Sequence, residues 1–185
     1  MSDGITIRRA TPDDAEAIAR VRIDGWRRSY KGLVPQAYLD SMSVPASLPM
    51  WQRVLDAPSD VASVYVAEKD ADVVGFAAGN RLAEPKHGFD SELTAIYLAQ
   101  DIQRRGLGRR LAGTIGAERA AHGATGMIVW VLAGNKAARA FYEALGAELV
   151  VEQPFEWDGM PLVEAAYGWR DLAALVGAAG LKALH

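Results

Sequence analysis

Two hydrophobic periods alternate along the chain. Residues 5–9 (ITIRR) begin with the two-residue period of a short strand. Thr11-Pro12-Asp13-Asp14 then opens a helix. Threonine stands at the cap, proline at the first helical position where its missing N–H costs nothing, and acids occupy the first turn beside the positive end of the helix dipole. Ile18, Val21, Arg22 and Trp26 follow at helical spacing, which predicts a helix to about Ser29. A second helical region covers 35–42. A third, over 47–56, has ends blurred by Pro45, Pro49 and Pro58, because the residue before a proline is driven out of the helical region.

From there the period changes. Residues 61–68 and 72–81 are rich in β-branched side chains and flank Lys69-Asp70-Ala71, a hairpin signal. Residues 91–99 (SELTAIYLA) form a third run. Leu107, Leu111 and Ile115 share one helix face, and 127–132 (MIVWVL) is a short buried strand by length and composition. Residues 135–145 read as a helix capped by Asn135 and stopped by Gly146. Residues 147–155 and 161–169 alternate around Asp158-Gly159, a second hairpin. With the blurred third helix uncounted, the order is β-α-α-β-β-β-α-β-α-β-β. This predicts an α/β (mixed) fold, a central mixed sheet of about seven strands flanked by helices on both faces. One domain is expected over 1–169, followed by an alanine-rich, helix-prone tail over 170–185.

Composition narrows the function. The 185 residues are half apolar and 23% charged, ordinary for a globular domain with a substantial core. A formal net charge of −3 gives no overall pull toward nucleic acid or an anionic membrane, so neither is expected as a partner. With no cysteine, thiolate nucleophiles, disulfides and cysteine-based metal sites are excluded. His87, His122 and His185 have no metal-ligand spacing, and no metal is expected. The opening MSDGITIRR lacks an apolar leader core and no apolar run approaches about 18 residues, so the expected location is cytoplasmic.

Against this acidic background QRRGLGRR, residues 103–110, places two glycines among four arginines where a strand hands over to a helix. A helix N-terminus presents unpaired N–H groups and the positive end of the macrodipole, which together bind anions. Glycine lets an anion reach the main chain without meeting a Cβ, and arginine adds charge suited to phosphate oxygens. The stretch reads as a diphosphate cradle. It is not a P-loop, since Arg109-Arg110 follow Gly108 where lysine and serine or threonine are required. Nor is it a dinucleotide fingerprint, since Leu111 stands where a third small residue is needed.

The run ELTAIYLAQDIQRRGLGRRL (92–111) resembles the acyl-CoA-binding motif of the GNAT superfamily of N-acyltransferases, which ends in Gln/Arg-x-x-Gly-x-Gly/Ala, here Gln103 to Gly108. The second motif of that family, Asn-x-x-Ala-x-x-Phe-Tyr-Glu-x-x-Gly, stands at 135–146 as NKAARAFYEALG, across one strand as in the family. The order of elements from Ile5 to Trp169 also matches. One departure is Gln100, where many relatives carry proline after the strand.

The resemblance implies that acetyl-CoA, the co-substrate, lies in a V between strands 92–99 and 126–132. Main-chain N–H groups of Arg104, Arg105, Gly106, Leu107, Gly108 and Arg109 would hold its pyrophosphate. Main-chain groups of Ile96 and Leu98 would pair with its pantetheine arm, and the Asn135 side chain would touch it beside its role as an N-cap. The chemistry is direct attack of a neutral amine on a thioester, which needs a base for the amine and benefits from an acid for the leaving thiolate. Tyr142 stands where the family's tyrosine donates to that sulfur; a core aromatic beside Phe141 is the plainer alternative. Glu92, eleven positions before Gln103, matches the base of histone-acetylating members, with a solvated strand-end acid as the alternative.

The segment 25–42 (GWRRSYKGLVPQAYLDSM) resembles helices that wall the acceptor pocket in a branch of bacterial GNAT proteins. Trp26 and Tyr30, at i and i+4, are the candidate substrate-binding pair, with Trp157 and Asp158 as further candidates. The expected function is acetylation of a primary amine of a small molecule. The alternatives are acetylation of a protein N-terminus or lysine, and an acyl-CoA-binding domain without turnover. Assembly stays open, with a homodimer allowed.

Overall fold

The computed structural model describes residues 4–181. It contains β1 (Ile5–Arg9), α1 (Ala15–Ser29), α2 (Gln36–Ser41), α3 (Val44–Asp56), β2 (Ala62–Lys69) and β3 (Asp72–Lys86). Then follow β4 (Phe89–Leu98), α4 (Leu107–Ala121), β5 (Met127–Leu132), α5 (Lys136–Ala144), β6 (Glu148–Trp157), β7 (Met160–Trp169) and α6 (Leu172–Ala178). The seven strands form one sheet in the order β1-β2-β3-β4-β5-β7-β6. Every neighbouring pair is antiparallel except β4 and β5.

The helices cover both faces, as the alternating pattern predicts. On one face α1 and α3 pack Ile18, Ala19 and Trp51 onto Val64, Val66, Phe76 and Ala78. On the other, Leu111 and Ile115 of α4, Tyr142 of α5 and Leu145 just after it pack onto Leu93, Met127, Val129 and Tyr167. Helix α6 joins this second face through Leu172 and Leu175. Gly113 and Gly116 permit the close α4–α6 approach, since a Cβ would lie 2.2 Å from Ala179 Cβ at the first and 2.9 Å from Leu175 Cδ2 at the second.

Two boundaries differ from the sequence reading. Helix α3 starts at Val44, before Pro45, rather than near 47. Ser43 caps it by accepting from Ala46 N–H at 3.3 Å, and Pro45 sits in the first turn, where an N–H would have no partner. Strand β3 runs to Lys86 instead of ending at 81, as an exposed extension whose pairing with β4 is irregular between Arg81 and Lys86. At the start of the chain, Arg8 of β1 grips the buried Asp14 carboxylate through two nitrogens at 2.8 and 2.9 Å. Arg8 also reaches Glu68 of β2 at 2.8 Å. His185 lies outside the described residues.

Candidate active site

Strands β4 and β5 are pinned at their beginnings and part beyond them. The Asp90 carboxylate accepts the N–H groups of Thr125 at 3.0 Å and Gly126 at 3.2 Å, and Ser91 Oγ donates to Gly126 O at 2.7 Å. Ladder pairs follow at Ser91–Met127 and Glu92–Ile128, and there the pairing ends. Further on, β4 stays paired with β3 as far as Leu98–Gly75, and β5 with β7 as far as Leu132–Glu164. The parting leaves a V-shaped cleft of about 690 Å³ between Leu93–Leu98 on one side and Val129–Leu132 on the other.

The peptide groups of β4 alternate between its two edges. Ala99 N–H donates to Val74 O of β3 at 2.8 Å, so Leu98 and Ile96 turn theirs to the open edge in the V. Leu98 O is met there by Arg28 Nη2 of α1 at 2.8 Å.

At the mouth of the cleft the chain folds as the glycine–arginine motif requires. Arg104 (φ 67°) and Gly106 (φ 74°) are both left-handed, which turns the backbone sharply into α4. The first intrahelical bond is Arg110 N–H to Gly106 O, so the N–H groups of Leu107, Gly108 and Arg109 have no partner within the helix. A Cβ added at Gly106, the residue just before these donors, would have no atom within 4 Å, so the turn is open to solvent there. Gly108 instead backs onto Phe141, whose ring carbon lies 3.3 Å from where a Cβ would be. Gln103, Arg104, Gly106, Gly108 and Arg109 line the cleft, while the Leu107 side chain is buried in the core below it and only its peptide faces outward chemistry. Donors, arginine charge and open space fit a diphosphate.

Asn135 and Tyr142 reach the cleft from α5. Asn135 Oδ1 accepts from Ala138 N–H at 3.2 Å, the N-cap bond, while its residue lines the opening. Of the two adjacent aromatics, Tyr142 is the more buried. Its ring lies edge-on to Trp169 at 6.0 Å and tilted against Tyr167 at 6.4 Å, yet the residue still borders the cleft. Burial pushes its phenol well above the usual tyrosine range, so it holds its proton at neutral pH. Tyr30 and Tyr97 border the same space, and burial raises both.

Glu92 is placed differently from the row that simple alternation gives. Counting by twos puts Glu92, Thr94, Ile96 and Leu98 on one face. A bulge intervenes: Gly79 pairs with Leu93 but Ala78 with Ala95, so Thr94 is the extra residue. Leu93, Ile96 and Leu98 therefore pack toward α4, and Ala95 and Tyr97 toward α1. Glu92 falls on the α1 side, opposite Asn80 and Ile128. It stands at the apex of the V, next to the residues that line it rather than among them. Burial raises its carboxyl above the usual carboxylate range; Lys86 draws it back and the Glu164 charge raises it again. Asn80 Oδ1, across the ladder, is buried without a partner.

On the α1 side the cleft has aromatic walls. Trp26 and Tyr30 meet at 4.5 Å, and Trp157 packs on Trp26 at 5.2 Å. The Trp26 indole N–H is buried without a partner, and the Arg22 guanidinium lies 4.7 Å over the ring. Trp130, Phe155 and Glu164 complete the lining and were not singled out by the sequence. The signal available was Trp130 within an otherwise aliphatic buried run, and Glu164 as an acid inside an apolar alternation. Asp158, by contrast, takes the left-handed turn position (φ 47°) of the β6–β7 hairpin and is absent from the cleft. Among the described residues no cluster of three or more His, Asp or Glu could hold a metal ion, and no helix is long and apolar enough to cross a membrane.

Comparison with known proteins agrees with this geometry. Residues 25–147 match the family model described as Acetyltransferase (GNAT) family. The uncharacterized N-acetyltransferase YuaI of Bacillus subtilis is 36% identical over 172 residues, covering 92% of this chain and 96% of YuaI. The crystal structure of the PaiA N-acetyltransferase of Thermoplasma acidophilum in complex with coenzyme A superposes with a TM-score of 0.68 at 20% identity, over 89% of this chain and 98% of that one. YncA of Salmonella typhimurium, a structure with its cofactor acetyl-CoA, superposes with a TM-score of 0.66 at 19% identity, over 89% and 92% of the chains.

Proposed function

Because the chain belongs to the GNAT family of acetyltransferases, it is an acyl-CoA-dependent N-acyltransferase, and we propose that it moves the acetyl group of acetyl-CoA to a primary amine of a small molecule by direct attack. The observation that carries this reading is the parting of β4 from β5 just beyond Glu92–Ile128, which opens a cleft whose mouth is lined by the helix start of α4. The pantetheine arm is taken up by the open peptide edge of Ile96 and Leu98 as an added strand would be, with Arg28 yielding Leu98 O. The N–H groups of Leu107, Gly108 and Arg109 hold the diphosphate. When bound, acetyl-CoA supplies an activated acyl group and a thiolate leaving group.

The chain's own residues handle two protons. A free amine is mostly protonated at neutral pH, and Glu92, at the apex on the acceptor side, takes the proton from it directly or through one water. Its raised carboxyl is a better match to that task than an ordinary, more acidic carboxylate. Tyr142 keeps its phenolic proton until the thiolate departs and then donates it. The aromatic walls of Trp26, Tyr30 and Trp157 hold the acceptor away from bulk water. The test is a panel of small primary amines with acetyl-CoA, read by release of free thiol. Amine-dependent release with formation of the N-acetyl product is expected, and acetyl-CoA binding with no release from any amine would leave a binding domain instead.

A further inference from the structure

The charged residues that line the cleft are segregated. Arg28, Arg104 and Arg109 serve the cofactor mouth, while Glu164 is the single acid on the lining and stands at the aromatic end. Ladder register puts Glu164 beside Leu132 and Glu92 beside Ile128 on the same face of the sheet. Their β5 partners are thus four residues apart, roughly 13 Å of strand. The two carboxylates thus rise from separate positions on one face of the sheet, yet stand near enough for the Glu164 charge to act on Glu92. Gln153 Nε2 donates to Glu164 Oε1 at 2.8 Å, which fixes the carboxylate in place while leaving its charge uncompensated by any cation in that bond.

The surroundings suit a cation with an apolar stem. Register also brings Trp130, Phe155 and Trp157 onto the face that carries Glu164, and all four residues line the cleft. Indole faces attract ammonium groups, and a carboxylate beside them adds direct charge pairing. The Trp26 ring at this end already carries the Arg22 guanidinium at 4.7 Å. A carboxylate-bearing acceptor such as a free amino acid would instead meet Glu164 as a like charge, at a cost.

We infer that the acceptor carries a second amine besides the one acetylated, protonated at neutral pH and seated between Glu164 and the indoles of Trp130 and Trp157. The substrate class is therefore a diamine or longer polyamine. The nucleophile must be neutral to attack, so charge recognition has to come from a different nitrogen, and Glu164 supplies it away from the apex. The inference rests on the acetyl-transfer reading for its first nitrogen but has its own readout.

The experiment compares diaminopentane with pentylamine, which differ only by the second amine. With acetyl-CoA, kcat/KM by thiol release should favour the diamine by at least about tenfold, a difference of about 1.4 kcal/mol. Glu164→Gln should collapse that ratio toward one. Calorimetric binding of the two amines to the protein alone should show the same preference and the same loss. If no amine releases thiol yet the diamine still binds preferentially through Glu164, the acetyl-transfer reading falls and the cation site stands. Equal values for the two amines in the native protein, or a preference that survives Glu164→Gln in a folded variant, would overturn the inference.

Discussion

The Tyr142 ring meets Trp169 edge-on, their centroids 6.0 Å apart. Trp169 is itself held by its indole N–H, which donates to Leu145 O at 3.1 Å, just past the end of α5. The helix that carries Tyr142 thus clamps the ring against which Tyr142 rests, and the phenol enters the cleft from a fixed platform. Such a placement suits an acid whose proton must be delivered to one point, since a mobile donor would lose the benefit of orientation.

Tyr142→Phe keeps the ring and its packing and removes only the hydroxyl. On the proposed reading kcat falls about a hundredfold, in the range usual for a general acid, while acetyl-CoA affinity stays within about twofold. Steady-state kinetics on the best amine, with calorimetry for the cofactor, checks both halves. Turnover near that of the native protein would remove Tyr142 from the chemistry.

Gly106→Ala tests the cradle. The new methyl enters open space at the start of α4, where the diphosphate is proposed to approach, so acetyl-CoA affinity should fall at least about tenfold. The substitution also strains a left-handed backbone, at a cost of about 1–2 kcal/mol in stability. Gly123→Ala separates the two effects. Gly123 is left-handed as well (φ 87°) and equally open, but it follows the far end of α4. It should lose comparable stability and keep the cofactor. Equal affinity losses in the two variants would count against the cradle.

Asp14 gives the fold its clearest acid sensitivity. The Arg8 guanidinium on its carboxylate, with the Thr11 N–H adding a bond at 2.7 Å, holds the Asp14 carboxyl below the usual range. For an acid depressed in the folded state, the stabilisation is present above its unfolded value near about pH 4 and is lost as pH falls through the folded value. Asp14→Asn should therefore cost about 2 kcal/mol near neutrality. That deficit should shrink on acidification below about pH 4, where the native protein loses the same interaction. Thermal denaturation as a function of pH reads the convergence, and a deficit constant from neutral to strongly acid pH would refute the assignment.

Legibility in the sequence followed the range over which each feature is determined. The strand Met127–Leu132 and the cradle at 103–110 are local: one is a short apolar run, the other a turn whose glycines and arginines are adjacent. The bulge at Thr94 is not local. ELTAIYL carries no glycine or proline to mark it, and the extra residue appears only through the pairing of Gly79 with Leu93 and Ala78 with Ala95. That bulge is what sends Glu92 and Ile96 to opposite faces, which period-two counting along the sequence does not show. Glu164 is illegible in the sequence for a related reason. Its neighbours along the chain are ordinary, and its place in the cleft depends on β7 lying next to β5, a crossover past β6 that the alternation of 147–169 does not encode. Pro45 reads as an interruption in the sequence because its position in a first turn depends on Ser43 acting as the cap.

Glu92 is the residue on which the two halves of the proposed mechanism meet. It stands opposite Asn80 at the last paired position before the V opens, on the α1 side of the sheet. Its carboxyl is raised, first by burial, so it takes up a proton at a higher pH than an exposed glutamate does. A base works only in its deprotonated form. The native kcat/KM should therefore climb with pH through the Glu92 value, at a position above the ordinary glutamate range of about 4.3. Glu92→Gln keeps the shape and removes charge and basicity. If Glu92 is the base, that limb disappears and kcat/KM is lower throughout the neutral range. If Glu92 only attracts a cationic acceptor, KM rises while kcat is largely kept, because the interaction lost is made equally in the bound and transition states. The acetyl-CoA dissociation constant should stay unchanged in either case, since Glu92 lies beside the lining of the cleft rather than on it. A variant whose pH–rate profile overlays that of the native protein, in both height and shape, would exclude Glu92 from the reaction and leave the amine's proton to water.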